Sequence, residues 1–387
     1  MRLESKQRID WYVGGALILL LKPVGYALGL LLRRDHDRRP QGEILVVKML
    51  GGGSILMAFP SLLGIRKEFP EARFKILTTP AVAPFARMLK VFDEIIVLDD
   101  RGLATLFKSL FAAFPRIFRV DTTLDLEVYS RLTSVISTLT LARNRFTFYF
   151  QSVFWRKNLH THLVYFNQSF NVCAFYDRMA TALGAQPETL TDSGMFFKSS
   201  LPAPMLREPG FKLFTIGHVC SEQGRERMLT ALQWADLLRV EITDTKAQLL
   251  FLGAKADHGI LQSLLKDLSP RFPEWKLQNC AGEITLEEAA SEIGNSDRFI
   301  GIDSSLLHVA RLLGTPTLSV WGPTSPATRL RDYPRAGDQV IYKPTPCSPC
   351  IHVAEKPPCG GNNVCIARIF DPKIEASSSE FVPVITS

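Results

Sequence analysis

Several common signatures are missing from this 387-residue sequence, and each absence removes a class of function. Lysine and arginine are not clustered with aromatic residues along any folded stretch, so a nucleic-acid-binding surface is not expected. A secretory signal with a cleavage site is not recognisable, which predicts a reducing, cytosolic compartment. No Asp-x-Asp motif ends a predicted strand in the second half of the chain. We therefore expect the chemistry to need no divalent metal or other cofactor.

Glycine is concentrated at Gly51, Gly52 and Gly53, but a phosphate-binding loop would need more than this triplet. The third glycine of the dinucleotide fingerprint is missing at Leu56, and no Gly-Lys-Ser/Thr sequence is present. An ordinary dehydrogenase would need the full fingerprint and an acidic partner for the ribose. The triplet is better interpreted as a place where a ligand approaches the backbone closely.

The seven cysteines fall into two groups. Three of them are scattered in apolar or mixed contexts and are predicted to be reduced, buried thiols: Cys173, Cys220 and Cys280. The other four form a C-x2-C-x8-C-x5-C pattern among prolines and glycines: Cys347, Cys350, Cys359 and Cys365. Four soft ligands at this spacing suit a structural zinc ion. An iron–sulfur cluster and free thiols are the alternatives.

An apolar stretch of 22 residues, from Trp11 to Leu32, is interrupted only by Lys22 and Pro23. Its length would permit one membrane span, but a central charge is costly and proline breaks a helix. A hairpin buried against the protein itself is a second interpretation. Two short helices in the membrane interface, with aromatic residues and flanking arginines near the headgroups, fit the pattern better. We therefore predict a membrane-associated hairpin.

Strands and helices alternate in two series, which begin after Pro40 and after a proline-rich turn at residues 201–209. The apolar runs predict parallel strands at 44–48, 74–77, 95–98, 213–216, 248–252, 299–302 and 317–321. Helices are predicted between them, and Thr285 with Glu288 forms a capping box before one of these. The sequence therefore predicts an α/β protein with two Rossmann-like domains. The predicted segments are residues 1–40, 41–200, 201–345 and a cysteine-rich tail at 346–387.

The densest pattern is FIGIDSSLLHVARLLGTPTLSVWGPTSP, at residues 299–326. A predicted strand ends at Asp303 and a helix follows at once, so the free amides near Ser304 and Ser305 point out from the carboxyl end of the sheet. His308 lies one turn further along the same helix face. The next strand ends in a Gly-Pro-Thr turn at the same edge, which adds the hydroxyl of Thr324. Together these residues predict a pocket for a pyrophosphate.

This stretch resembles the donor-site signature of glycosyltransferase family nine, the ADP-heptose:lipopolysaccharide heptosyltransferases. Ser305 stands where that family frequently has glycine, and residues 44–74 (ILVVKMLGGGSILMAFPSLLGIRKEFPEARF) also follow the family pattern. The resemblance covers roughly residues 42–365. It implies the GT-B architecture, in which two Rossmann-like domains face each other across a cleft. The C-terminal domain would bind the nucleotide-sugar donor, and the N-terminal domain with its glycine loop would receive the acceptor.

The resemblance also implies a phosphate-binding cation and a catalytic base. The cation is expected just before a long helix of the second domain, where the chain has Arg227 or, as the alternative, Arg225. The family's base is an aspartate after the glycine loop, and that position is Ser54 here. Serine is not a base at neutral pH unless another group deprotonates it, so either a carboxylate elsewhere replaces the aspartate, or the chemistry differs, or the protein is catalytically weak. The candidate carboxylates are Asp125, Glu127 and Glu222.

These observations predict an inverting glycosyltransferase. By the resemblance, it moves a heptose from ADP-heptose onto a lipopolysaccharide-core or related glycolipid acceptor. The N-terminal segment adds the membrane surface as a partner, at the cytoplasmic face of the bacterial inner membrane. A protein that binds nucleotide sugar or glycolipid without turnover is the alternative, because Ser54 replaces the base. The intact pattern at residues 299–326 argues against that alternative.

Overall fold

The computed structural model describes residues 3–32, 37–220, 224–351 and 357–371. The chain divides into two compact units, Met1–Ser193 and Gly194–Ser387, which are called unit 1 and unit 2 below. Each unit is built on its own six-stranded sheet, and all the strand pairings in both sheets are parallel.

The sheet of unit 1 has the strand order β3-β2-β1-β4-β5-β6. Its strands are β1 (Ile44–Val47), β2 (Phe74–Thr78), β3 (Glu94–Val97), β4 (Thr122–Asp125), β5 (Asn144–Tyr149) and β6 (His162–Tyr165). The helices are α1 (Leu3–Ile9), α2 (Gly15–Leu32), α3 (Gly52–Glu68), α4 (Ala83–Met88), α5 (Leu103–Ile117), α6 (Arg131–Leu139) and α7 (Val172–Leu183). A further helix, α8 (Leu190–Ser199), begins in unit 1 and contains the boundary with unit 2.

The sheet of unit 2 has the strand order β12-β11-β10-β7-β8-β9. Its strands are β7 (Lys212–Gly217), β8 (Ala247–Phe251), β9 (Lys276–Asn279), β10 (Arg298–Ile302), β11 (Thr317–Trp321) and β12 (Asp338–Tyr342). The helices are α9 (Ala231–Glu241), α10 (His258–Leu268), α11 (Leu286–Asn295), α12 (Ser305–Leu312), α13 (Pro326–Arg329) and α14 (Val364–Phe370).

Both sheets follow the doubly wound order in which the first strand of the unit lies beside the fourth. The central strand β1 is buried on both faces, which is why its sequence is a continuous apolar run, ILVV. The predicted class, α/β with two Rossmann-like sheets, is confirmed. In such sheets ligands bind outside the carboxyl ends of the strands, at the point where the strand order reverses. That point lies beside β1 in unit 1 and beside β7 in unit 2.

The predicted capping box of α11 is confirmed. The Glu288 amide donates to Thr285 Oγ1 at 3.2 Å, and the Thr285 amide donates to Glu288 Oε2 at 2.7 Å. The two bonds satisfy amides that the first turn of a helix would otherwise leave without acceptors. This fixes the start of the helix that precedes β10.

The N-terminal segment differs from the predicted pair of short helices. One helical run contains α1, a π-helical turn at Asp10–Gly14 and α2, and it continues through Pro23. Proline removes one backbone hydrogen bond, and packing against the rest of unit 1 stabilises the run despite that loss. Ile18 lies in a buried cluster with Val135 and Trp155. In the described part of the chain no helix is long and apolar enough to cross a bilayer.

Candidate functional site

The residues predicted around Asp303 come together at the carboxyl edge of the unit 2 sheet. Asp303 directly follows β10, and Ser304 is the extended residue (φ −149°, ψ 170°) before the first turn of α12. β11 pairs with β10 in parallel, so the Gly-Pro-Thr turn that ends with Thr324 emerges at the same edge. The sequence pattern therefore corresponds to one site in space.

Arg227 lies against Asp303. A short 3-10 turn, Arg225–Arg227, follows Gly224, whose φ of 111° favours glycine. Arg227 Nη1 donates to Asp303 Oδ2 at 3.0 Å and to the Asp303 carbonyl oxygen at 2.7 Å. Arg225 belongs to the same turn but is exposed. Of the two candidate cations, the structure brings Arg227 to the strand edge.

Charge is distributed unevenly between Asp303 and His308. Burial by itself raises the pKa of Asp303, but Arg227, His308 and Arg329 outweigh it, and the pKa lies below its ordinary value. His308 Nε2 lies 3.9 Å from Asp303 Oδ1, and burial lowers the pKa of the imidazole to about 4. At neutral pH the carboxylate is therefore ionised and the imidazole is neutral. The ionised carboxylate holds the guanidinium of Arg227 in place.

Two hydroxyl groups at this edge are buried without a hydrogen-bond partner among the described residues: Ser304 Oγ and Thr324 Oγ1. A hydrogen bond from Thr324 helps to lower the pKa of the Asp303 carboxyl, although the Thr324 hydroxyl has no partner at ordinary hydrogen-bond distance and angle. Buried polar groups without partners are rare in folded proteins and call for an explanation. With the amides of the first turn of α12 and the guanidinium of Arg227, they form a set of donors suited to a diphosphate.

The C-terminal part of the chain supports the turn that carries Thr324. The Cys350 amide donates to the Pro323 carbonyl at 3.0 Å, and Ser348 Oγ donates to the Gly322 carbonyl. A Cβ atom on Gly322 would lie 2.6 Å from Ile366 Cδ1, so α14 packs directly against the turn. The sequence does not reveal this support, because the pattern of the tail, four cysteines among prolines and glycines, indicates only a metal site.

The four cysteines of the tail are free thiols close to one another. The pKa of Cys365 is raised to about 12, first by burial and then by the nearby thiols of the other three. Over the described ranges, however, no three or more His, Cys, Asp or Glu side chains are arranged to hold a metal ion. Structural zinc at Cys347, Cys350, Cys359 and Cys365 is thus unsupported. Cys173 and Cys280 are buried, and Cys220 is partly buried.

The glycine triplet of unit 1 is shaped by packing. Gly51 has a φ of 82°, and a Cβ atom on Gly52 would lie 2.3 Å from the Phe85 ring. Ser54 is half-buried in the first turn of α3, and its amide donates to the Gly51 carbonyl at 3.0 Å. Larger residues would therefore disturb the loop between β1 and α3. Gly53 lies between Gly52 and Ser54 in the first turn of α3.

The three candidate carboxylates have different surroundings. Asp125 is wholly buried, accepts from Thr133 Oγ1 at 3.0 Å, and has its pKa raised to about 6, mainly by burial. Glu127 accepts from Lys48 Nζ at 2.9 Å and from the amides of Met49 and Leu50, at 2.7 and 2.9 Å. Glu127 therefore lies beside the loop that leads to the glycines. Glu222 falls outside the described residues.

Comparison with known proteins agrees with this arrangement. The profile of glycosyltransferase family 9 (heptosyltransferase) matches residues 219–359, which include Arg227, Asp303 and Thr324. Lipopolysaccharide heptosyltransferase 2 of Escherichia coli K12 is 29% identical over 106 residues, which are 27% of this chain and 30% of that protein. Lipooligosaccharide heptosyltransferase 2 of Haemophilus influenzae is 31% identical over 106 residues. The matched segment thus spans less than a third of these relatives.

Solved structures extend the likeness to both units, at the level of fold. E. coli heptosyltransferase WaaC with ADP superimposes with a TM-score of 0.61 and 16% identity, over 86% of this chain and 99% of that chain. A family 9 glycosyltransferase from Veillonella parvula superimposes with a TM-score of 0.60 and 18% identity, over 80% of this chain and 87% of that chain. Two Rossmann-like units of the GT-B type are confirmed. In sequence over residues 219–359, and in fold over both units, the chain resembles glycosyltransferase family 9.

Proposed function

We propose that this protein is an inverting glycosyltransferase whose unit 2 binds a nucleoside-diphosphate sugar. The observation that carries the proposal is the set of donors at the end of β10 and β11. Arg227 is held by the ionised Asp303, and the buried hydroxyls of Ser304 and Thr324 have no partner in the described protein. A diphosphate at the start of α12 would supply the missing acceptors and the anion that a helix N-terminus favours.

The proposed donor is ADP-heptose and the proposed acceptor is a lipopolysaccharide-core glycan. Support for the donor comes from the solved structures, which include E. coli heptosyltransferase WaaC with ADP and with ADP-2-deoxy-2-fluoro heptose. Support for the acceptor comes from the relatives, which act as lipopolysaccharide and lipooligosaccharide heptosyltransferases by name. With such an acceptor, the protein would act as a peripheral protein at the cytoplasmic face of the inner membrane.

The chemistry divides between the two units. In unit 2, negative charge develops on the leaving nucleotide diphosphate as the sugar is transferred. Arg227, the two hydroxyls and the α12 amides stabilise this charge as a preorganised set of donors. His308 is neutral and lies 3.9 Å from Asp303, so it contributes no positive charge to this stabilisation. In unit 1, we assign the role of base to Glu127, because Asp125 has no exposed surface.

The test is calorimetric binding of ADP and ADP-heptose to the purified chain and to a matched pair of variants. Arg227→Ala is expected to weaken ADP binding by about tenfold or more, since charge-assisted hydrogen bonds to phosphate are strong. Arg225→Ala, in the same turn, is expected to leave the affinity unchanged. Equal effects of the two substitutions on ADP affinity would refute the role of Arg227 in phosphate binding. If the wild-type chain binds neither nucleotide, ADP-heptose is not its donor.

Turnover is then measured with ADP-heptose and a heptose-deficient lipopolysaccharide core. Release of ADP with formation of a larger glycan would establish the transferase. Binding of ADP-heptose without transfer to any core acceptor would favour the non-catalytic alternative.

A further inference from the structure

The N-terminal helical run is attached to unit 1 by one side. The Asp10 carboxylate accepts the amides of Arg131 and Leu132, both at 2.8 Å, and so caps the start of α6. The Arg131 guanidinium lies 3.6 Å from the centre of the Trp11 ring. A Cβ atom on Gly14 would lie 2.7 Å from Arg131 Cβ, which shows how closely the two backbones approach. These contacts fix the orientation of the run.

The opposite side of the run is apolar and exposed. Tyr12, Leu19, Leu20, Val24 and Tyr26 are exposed there, and Leu19 retains 76% of its surface. A helix on the surface of a soluble protein normally presents polar residues on this side. Adjacent apolar side chains in one exposed patch mark an interaction surface.

Helix α5 presents a second apolar stripe. Leu103, Phe107 and Phe111 follow one another at intervals of four residues and are exposed, Phe111 by 85%. The other side of α5 packs on the sheet, where Ile117 shares a core cluster with Ile136 of α6. Helices α5 and α6 therefore cover the same face of the unit 1 sheet. The N-terminal run packs against α6, through Asp10 and through the cluster that contains Ile18 and Val135.

Contacts and charges connect the two stripes. Lys6 of α1 forms an ion pair with Asp100, which lies just before α5. Lys22 is the one charged residue in the sequence of α2, and α5 contains Lys108 and Arg116, of which Arg116 is paired with Glu94 of β3. Asp10 and Asp100 are both engaged in the contacts described above, while Glu4 and Arg8 of α1 are exposed. Lys22 and Lys108 remain as positive charges beside the apolar patch, and they favour an anionic partner.

We propose that these two stripes form one membrane-docking face, which lies in the plane of an anionic phospholipid bilayer. The face consists of Tyr12, Leu19, Leu20, Val24, Tyr26, Leu103, Phe107 and Phe111. An in-plane helix of this kind inserts its apolar side between headgroups and acyl chains, while lysines and arginines contact the anionic headgroups. The proposal deepens the proposed function, on which the choice of a membrane as partner rests, and it adds α5 to the N-terminal segment.

The experiment is cosedimentation of the full chain with vesicles of phosphatidylethanolamine and phosphatidylglycerol, and with vesicles of phosphatidylcholine alone. Binding is expected to the anionic vesicles and to fall at high salt. Phe107→Ser with Phe111→Ser should lower the partition coefficient by about tenfold or more, because each phenylalanine loses apolar contact area. Leu19→Ser with Leu20→Ser should have a similar effect. All four residues are exposed, so the fold should tolerate the changes.

The matched control is Leu232→Ser with Val240→Ser, which removes two exposed apolar side chains of α9 in unit 2. It should leave vesicle binding unchanged. The docking face is refuted if the α5 variant binds vesicles as well as the control does, or if the wild-type chain binds no vesicles. It is also refuted if the chain is a dimer that the α5 substitutions dissociate, because the face would then bind a second copy. ADP affinity, measured on the same samples, reports separately on the proposed function.

Discussion

The hydroxyl of Thr324 is the sharpest test of the candidate site among single residues. It is buried without an ordinary hydrogen-bond partner in the described protein, so Thr324→Val should change the free energy of unfolding by less than about 1 kcal/mol. The same substitution should weaken ADP binding by about three- to tenfold, because a bound phosphate would lose one hydrogen bond. Calorimetry with ADP and urea unfolding check the two effects.

Thr328→Val is the control for this prediction. Thr328 Oγ1 already donates to the Ser325 carbonyl at 3.0 Å within α13, close to the site in sequence. The control should therefore lose a little stability and retain its affinity for ADP. If both variants bind ADP with wild-type affinity, the Thr324 hydroxyl has no part in the site.

The identity of the base gives a second prediction for single residues. Ser54→Ala should leave kcat within about threefold of wild type, because a serine hydroxyl is not a general base at neutral pH. Glu127→Gln should lower kcat by about 10²- to 10⁴-fold, which is the usual contribution of a general base. Steady-state transfer assays measure both values, and hydrogen exchange of the unit 1 peptides confirms that each variant is folded. A large loss of kcat in Ser54→Ala alone would assign the proton transfer to the serine.

Much of the candidate site could be predicted from the sequence at the scale of residues. Asp303, Ser304 and Thr324 follow strands that were recognisable as apolar runs, and neighbouring parallel strands end at one edge. Arg227 is preferred to Arg225 by resemblance only, because both lie in one short turn and the sequence does not show which side chain faces Asp303. The support of Glu127 by Lys48 was also hidden, since 79 positions separate the two residues.

At the scale of elements, the packing of α14 under the Gly-Pro-Thr turn makes a third prediction. Ile366 is almost wholly buried in the core of unit 2 and lies against Gly322. Ile366→Ala should lower the stability of unit 2 by about 2–5 kcal/mol, as large-to-small changes in cores do. It should also weaken ADP binding, because the turn that carries Thr324 loses its support.

Leu264→Ala in α10 is the comparison for Ile366→Ala. Leu264 belongs to the same buried core cluster but lies on a different helix. Its truncation should cost similar stability while leaving ADP affinity close to wild type at a temperature where both variants are folded. Equal losses of affinity would mean that the tail stabilises unit 2 without shaping the turn.

The N-terminal run shows where prediction of elements failed. The pair Lys22 and Pro23 predicted a break, but the helix continues there and the irregular turn lies at Asp10–Gly14. The sequence near these residues contains no signal for this position. The position of the irregular turn is set by a tertiary contact, in which Asp10 caps α6. This contact joins residues about 120 positions apart in the chain. Helices packed on other helices obey such contacts more than their own propensities.

At the scale of the whole molecule, buried histidines distinguish the two units. In unit 2, burial lowers the pKa of both His218 and His308 to about 4, below the ordinary 6.5. In unit 1, His160 also has a lowered pKa, but burial raises the pKa of Asp125 to about 6. The two kinds of shift have opposite effects on stability as the pH falls. We therefore expect the units to differ in their response to acid.

The direction follows from proton binding. Between pH 6.5 and 4 the unfolded chain protonates its histidines while the folded chain does not, so each lowered pKa reduces stability as the pH falls through this range. Asp125 does the reverse, because the folded carboxyl takes up a proton near pH 6 and the unfolded one does so only below about pH 4. In unit 2, two histidines reduce the stability as the pH falls. In unit 1, the stability lost through His160 is offset by the stability gained through Asp125.

Unit 2 should therefore lose about 2 kcal/mol per histidine between pH 7 and pH 5, and unit 1 should change less. Hydrogen exchange measured by mass spectrometry at both pH values separates the two units by peptide. His218→Gln tests the cause, since its amide oxygen can still accept the hydrogen bond that Trp234 Nε1 now donates to His218 Nδ1 at 2.8 Å. In this variant, unit 2 should lose about half as much stability between pH 7 and pH 5 as it does in the wild type. An unchanged loss of stability would mean that other groups control the response to acid.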